Sequence, residues 1–178
     1  MKDIYTPKKF RVFVVHGRDE KVRRALFDFL RTIGLKPIEW NVAVTLTGKT
    51  SPYVGEILDT AMQYAQAIIV LFTGDDQARL KDEFLWVKDP VYEREATPQS
   101  RPNVIFEAGV ALGKYPERTI LVQVGNLRPF SDIAGRHFIR LRNSSKSRQE
   151  LAQRLQLAGC KVDLSGTDWH DAGSFPSK

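Results

Sequence analysis

Phe10-Arg11-Val12-Phe13-Val14-Val15-His16-Gly17-Arg18-Asp19 is the stretch on which the reading of this chain turns. It opens with a short run of β-branched and aromatic residues and closes on polar turn-formers, the pattern of a strand buried on both faces of a sheet. Asp19 is placed to cap the next segment, in which Val22, Ala25, Leu26, Phe29, Leu30 and Ile33 recur at three and four residues until Gly34 ends the pattern. That spacing is an amphipathic helix. Outward from this pair the rhythm repeats. Residues 36–40 read as a second short strand, the stretch from Asn41 to Thr50 as a loop, and Ser51-Pro52 as the start of a helix carrying Val54, Ile57, Leu58 and Ala61. Residues 67–72 make a third strand. A helix over 103–114, a fourth strand over 119–124 and a fifth over 138–141 come next. The Ser147/Glu150 capping-box spacing opens a last helix, which ends at Gly159. Strands alternating with helices require parallel pairing through right-handed crossovers, so the fold class is α/β, with helices on both faces of the sheet.

A chain of 178 residues supports one sizeable core. We divide it into a domain over 9–163 and a linker-like tail over 164–178, because the tail is polar, has one Trp and one Phe, and shows no periodic face. Residues 73–101 are too long and polar for a routine connection and are either functional or mobile. Within them, Phe84-Leu85-Trp86-Val87 is expected to fold back onto the domain. The net charge of +6 is spread along the chain rather than gathered in a stripe, which argues against nucleic acid as a partner. No apolar run approaches the roughly 18 residues of a membrane span, and Met1-Lys2-Asp3 does not begin a signal peptide, so a cytoplasmic protein without a membrane partner is expected. Cys160 stands alone, and His16, His137 and His170 lack ligand spacing, so no metal site is expected.

In open parallel sheets, ligands bind beyond the carboxyl ends of the strands. This selects Gly17, Arg18 and Asp19, the 41–50 loop, residues 73–76 with Asp75, and the helix start at Asn103. Gly17 permits close backbone approach, Arg18 suits a phosphate, and the helix after Asp19 offers N–H groups to an anion. Gly48-Lys49-Thr50 resembles the end of a phosphate-binding P-loop, but Ala43 stands where that motif needs its first Gly, and the position after the second strand is wrong. Glu107 is the most informative residue. Val104-Ile105-Phe106 precedes it and Ala108-Gly109-Val110-Ala111-Leu112-Gly113 comes after, leaving it the only ionisable group in that run. At about 100° per residue it falls at the edge of the apolar stripe, one turn after Asn103. A carboxylate there is either paired, for instance with Arg101 or a backbone N–H, or it lines a cleft and does chemistry.

Three segments, Phe10 to Glu20 (FRVFVVHGRDE), Arg101 to Lys114 (RPNVIFEAGVALGK) and Ser131 to Gly135 (SDIAG), together resemble the bacterial TIR-like domains described as nucleotide-binding. The resemblance runs from about residue 11 to 163. It implies a flavodoxin-like (TIR) five-stranded parallel sheet and an NAD+ hydrolase that cleaves the nicotinamide N-glycosidic bond, giving nicotinamide and ADP-ribose or a cyclic form. It implies NAD+ as substrate, with no cofactor, in an antiphage defence effector activated by assembly. Glu107 matches the family's catalytic glutamate, and Gly17, Arg18 and Asp19 match the loop lining the nucleotide pocket. Asn103 stands where many eukaryotic members place a tryptophan, so Trp40 and Phe106 are the candidate aromatic walls. The loop from Asn41 to Thr50 matches the region used for self-association, and a fused or partner cyclic-nucleotide sensor is a further implication. Two other readings stay open: a non-catalytic adaptor or nucleotide-binding module, and a nucleoside deoxyribosyltransferase-like enzyme.

Overall fold

The computed structural model describes residues 6–129, 131–133 and 135–177; Ala134 of the 131–135 motif and Lys178 of the tail lie outside the described residues. The strands are β1 (Arg11–His16), β2 (Lys36–Pro37), β3 (Ala67–Phe72), β4 (Asp76–Ala78), β5 (Thr97–Gln99), β6 (Thr119–Gln123) and β7 (Phe138–Arg140). The α-helices are α1 (Glu20–Thr32), α2 (Trp40–Leu46), α3 (Val54–Tyr64), α4 (Val91–Arg94), α5 (Pro102–Lys114) and α6 (Ser145–Leu157). Five strands pair in parallel in the order β2-β1-β3-β6-β7, the flavodoxin-like order; β4 and β5 form a separate antiparallel ribbon.

The strand pleat divides the core. Val12, Val14, Ile69, Leu71 and Val122 pack with α1 and α6, whereas Phe13, Val15, Ile68, Val70 and Leu121 pack with α2, α3 and α5. All six residues of β3 are buried, as a strand covered on both faces requires. The chain leaves β1 on the α1 face and returns to β3 across the opposite face, so the direction of winding reverses at β1. Open α/β sheets place their ligand crevice at such a point.

Five expectations need correction. The second strand stops at Pro37 rather than residue 40, because the chain turns into helix α2 at Trp40; Ile38 N still donates to Val12 O at 2.8 Å. Much of the Asn41 to Thr50 loop is helix α2, in which Ala43 is fully buried and Val42, Val44 and Leu46 pack beside it. Tertiary burial overrides the low helix preference of that β-branched run, and Gly48, at φ +67°, ends the turn. The last helix begins at Ser145, capped by Ser144 Oγ accepting from Ser147 N, while the Ser147 hydroxyl donates to Arg142 O at 2.7 Å. The tail read as linker-like is packed. Buried Arg148 of α6 donates to Ala172 O (2.8 Å), Gly173 O (2.6 Å) and Asn143 Oδ1 (2.8 Å) and lies over the Phe175 ring, itself buried. Gly173, at φ +73°, lies so close to Ala25 that a side chain would overlap it. By contrast, Phe84, Trp86 and Val87 do not fold back onto the core and are exposed.

Candidate active site

The early end of β2 creates the site. Beyond Val12, β1 has no strand partner on that side, and the space is a cleft of about 340 Å³ lined by Phe13 to His16. Helix α1 supplies Glu20, Arg23 and Phe27 from one face of the sheet; Ile38, Glu39, Trp40, Leu58 and Glu107 complete the wall. Trp40 is 46% exposed, a partly open aromatic wall.

Three carboxylates meet this cleft, and their partners differ. Glu20 is paired with Arg23 and with Arg24, and these hydrogen bonds hold its carboxyl down to about 2. Glu39 accepts from Arg31 at 2.8 Å and lies 3.6 Å from Arg23. Both guanidiniums also cover the Phe27 ring, at 4.7 and 5.5 Å. Glu107 has no hydrogen-bond or ion-pair partner among the described residues. Desolvation on the inner side of α5 raises its pKa above the ordinary carboxylate value. Arg101, the structural partner considered for it, instead donates to Asp76 at 3.2 Å. Glu107 is therefore the uncommitted carboxylate of the cleft.

The other expected site residues are arranged differently. Asp75 Oδ2 accepts the Arg18 N–H at 2.5 Å, and Asp19 Oδ1 accepts the Val22 N–H at 2.9 Å. The Val22 N–H in the first turn of α1, expected to await an anion, and the Arg18 N–H ahead of the helix are thus taken by the protein's own carboxylates. Gly17 allows this, since a Cβ there would overlap the Asp75 carboxylate. The Arg18 side chain is exposed. Asn103 and Phe106 sit on exposed faces of α5, and neither is among the residues lining the cleft; of the expected residues, Trp40 and Glu107 are the two that share it.

Arg23 and Glu39 were missed. Pro37 was the available signal for Glu39: a strand stopping there makes Ile38-Glu39 the strand end. Arg23 had only its four-residue spacing to Phe27. Among the described residues, no group of three His, Cys, Asp or Glu is placed to hold a metal, and no helix is long and apolar enough to cross a membrane.

The match to known proteins covers this whole arrangement. The family model described as CAP12/Pycsar effector protein, TIR domain, matches residues 11–143, from the first residue of β1 past the end of β7. A curated relative from Escherichia coli (strain K12), Uncharacterized protein YuaY, is 24% identical over 161 residues, covering 90% of this chain and 49% of that protein. The chain spans about half the length of that relative.

Proposed function

The chain belongs to the CAP12/Pycsar effector TIR-domain family, a bacterial TIR-like antiphage effector family, and on that footing we propose that it is an NAD+ hydrolase with Glu107 as its catalytic carboxylate. One observation carries the reading: of three carboxylates at the crevice where the winding reverses, Glu107 is the one without a cationic partner among the described residues. A paired carboxylate has spent its charge. An unpaired one in a low-dielectric wall is available to a cation, and the reaction makes one.

When the bond between ribose C1′ and the nicotinamide nitrogen breaks, its electron pair neutralises the pyridinium, which leaves as a neutral ring without protonation. The ribose becomes an oxocarbenium ion, water adds at C1′ and a proton is released, giving ADP-ribose. Ionised Glu107 stabilises the positive charge as it develops, the role carboxylates have in glycoside cleavage. Trp40 offers a flat face beside it. The Arg23–Glu39–Arg31 network holds the opposite wall in place.

The test is nicotinamide release from NAD+ by the wild type and by Glu107→Gln, which keeps shape and removes charge. We expect the variant to lose 100-fold or more of the rate with its fold intact, the scale at which pre-organised charge stabilisation is worth 2.7–4 kcal/mol or so. Near wild-type release by Glu107→Gln would end the assignment. Release by neither protein, with ligand binding retained, would favour a non-catalytic module.

Activation by assembly belongs to the same proposal. The turn after α2 exposes Gly48, Lys49 and Thr50, and Tyr53 and Val54 beyond it are 83% and 60% exposed. This is a surface on which a second copy could seat itself next to the cleft, brought there by a cyclic-nucleotide sensor.

A further inference from the structure

Water adding at C1′ releases a proton, and the side chains around the cleft differ in their capacity to take it. Glu20 and Glu39 are spent on arginines. Two side-chain acceptors remain on the wall: the Glu107 carboxylate and one nitrogen of His16. His16 ends β1, where the strand has lost its β2 neighbour. Its Nδ1 lies 2.9 Å from Gly17 O. A carbonyl oxygen can only accept, so Nδ1 carries the ring hydrogen, and Nε2 of the neutral ring is left with a lone pair. Nε2 has no hydrogen-bond or ion-pair partner among the described residues.

The ring is also oriented. It meets Phe27 of α1 edge to face, with centroids 6.4 Å apart and planes at 87°. Phe27 is itself buried under the Arg23 and Arg31 guanidiniums. Along β1, His16 continues the Val12 and Val14 side, which packs with α1, whereas Glu107 comes from α5 on the opposite face of the sheet. The two acceptors thus enter one cleft from its two sides. His16 is exposed, so a proton taken there can pass on to solvent.

On the reading of Glu107 as the carboxylate that stabilises the oxocarbenium ion, we propose that His16 Nε2 is the proton acceptor for the attacking water. A lone pair of the water oxygen forms the bond to C1′, and the C1′–O4′ π pair returns to O4′. The O–H pair stays on oxygen as the proton passes to Nε2, giving ADP-ribose and an imidazolium that releases the proton to solvent. Glu107 serves bond breaking; His16 serves the capture by water.

That division is testable because a pyridine can replace water. 3-Acetylpyridine attacks C1′ through its nitrogen lone pair and has no proton to lose, so base exchange needs Glu107 but not His16. The experiment gives NAD+ to the whole chain with and without 3-acetylpyridine, and measures ADP-ribose and the exchanged dinucleotide for the wild type, His16→Gln and Glu107→Gln. His16→Gln should lower ADP-ribose formation about 100-fold, the lower end of what a positioned base contributes, with exchange close to the wild-type rate. Glu107→Gln should lose both. Retained exchange also shows that the His16 variant is folded. Unchanged ADP-ribose formation in His16→Gln, or exchange falling along with it, would overturn the assignment of His16 and leave Glu107 standing. A wild type that forms neither product removes the Glu107 reading, and this proposal with it.

Discussion

Glu107 and Gly17 show how one side chain can carry a functional argument. Desolvation raises the Glu107 pKa in the fold above its value in an unfolded chain. The native state therefore holds its proton to higher pH, and stability contributed by protonated Glu107 is present at low pH and lost as pH rises through that raised value. Above it, the charge is a cost. Glu107→Gln removes that cost, so at neutral pH its Tm should exceed the wild type's. Below the ordinary glutamate range the two melting curves should meet. Calorimetry across pH reads both, and a variant less stable than wild type at neutral pH would show that Glu107 braces the helix. The same carboxylate must be ionised to stabilise a cation, so turnover should fall on the acid side at a pH above that of an unperturbed glutamate. Glu107 was legible because nine apolar or glycine neighbours flank it from Val104 to Gly113. Gly17 was legible as a close-approach residue, but what approaches it is Asp75, held by the Arg18 N–H 57 residues before it, and no local pattern announces such a contact. Gly17→Ala should break the Asp75 bond to the Arg18 N–H and cost about 1–3 kcal/mol, the range for overpacking, measured by denaturant unfolding.

Helix α2 and the tail extend the lesson to elements. Trp40 to Leu46 has the residue types of a strand or loop, and it is helical because Ala43 and its neighbours fill the space beside α3. Its formation shortens β2 and opens the cleft, so the element that sequence patterning misses is the one that makes the site. Arg148 hydrogen-bonds the tail to α6, beside the packing of Phe175 and Gly173. Arg148→Met removes the donor to two carbonyls and the Asn143 amide oxygen, and groups left unpaired cost about 1–3 kcal/mol each. Its Tm should drop by several degrees, and proteolysis should begin within 165–177 before the rest of the chain is cut. Unchanged protease resistance there would mean that Phe175 and Gly173 hold the segment by themselves. Because the tail packs on Ala25 of α1, and α1 carries Glu20, Arg23 and Phe27 into the cleft, loosening it should also lower turnover through α1.

For the whole molecule, the reversal of winding at β1 and the cleft beside it decide what the surface offers. If a second copy completes the Glu107 cleft beside α2, the rate per chain should climb with protein concentration and with crowding. A rate per chain that stays constant over a hundredfold range in concentration would leave the cleft complete in one copy and remove assembly from the mechanism.

Periodicity and turn chemistry along the chain were sufficient for the α/β class, the parallel pairing, the positions of four of the five sheet strands and the singular character of Glu107. Each of these rests on neighbours within one or two turns, and local spacing records such neighbours directly. The Asp75 bond to the Arg18 N–H, the Arg148 clasp on Ala172 and the Glu93–Arg128 latch of the ribbon rest on contacts 24 to 57 residues apart. Burial at those contacts outweighs local preference by more than the tenths of a kcal/mol that separate residue propensities. The chain could state which residue was chemically unusual; the packing of distant segments settled which cations it lacks and which cleft it faces.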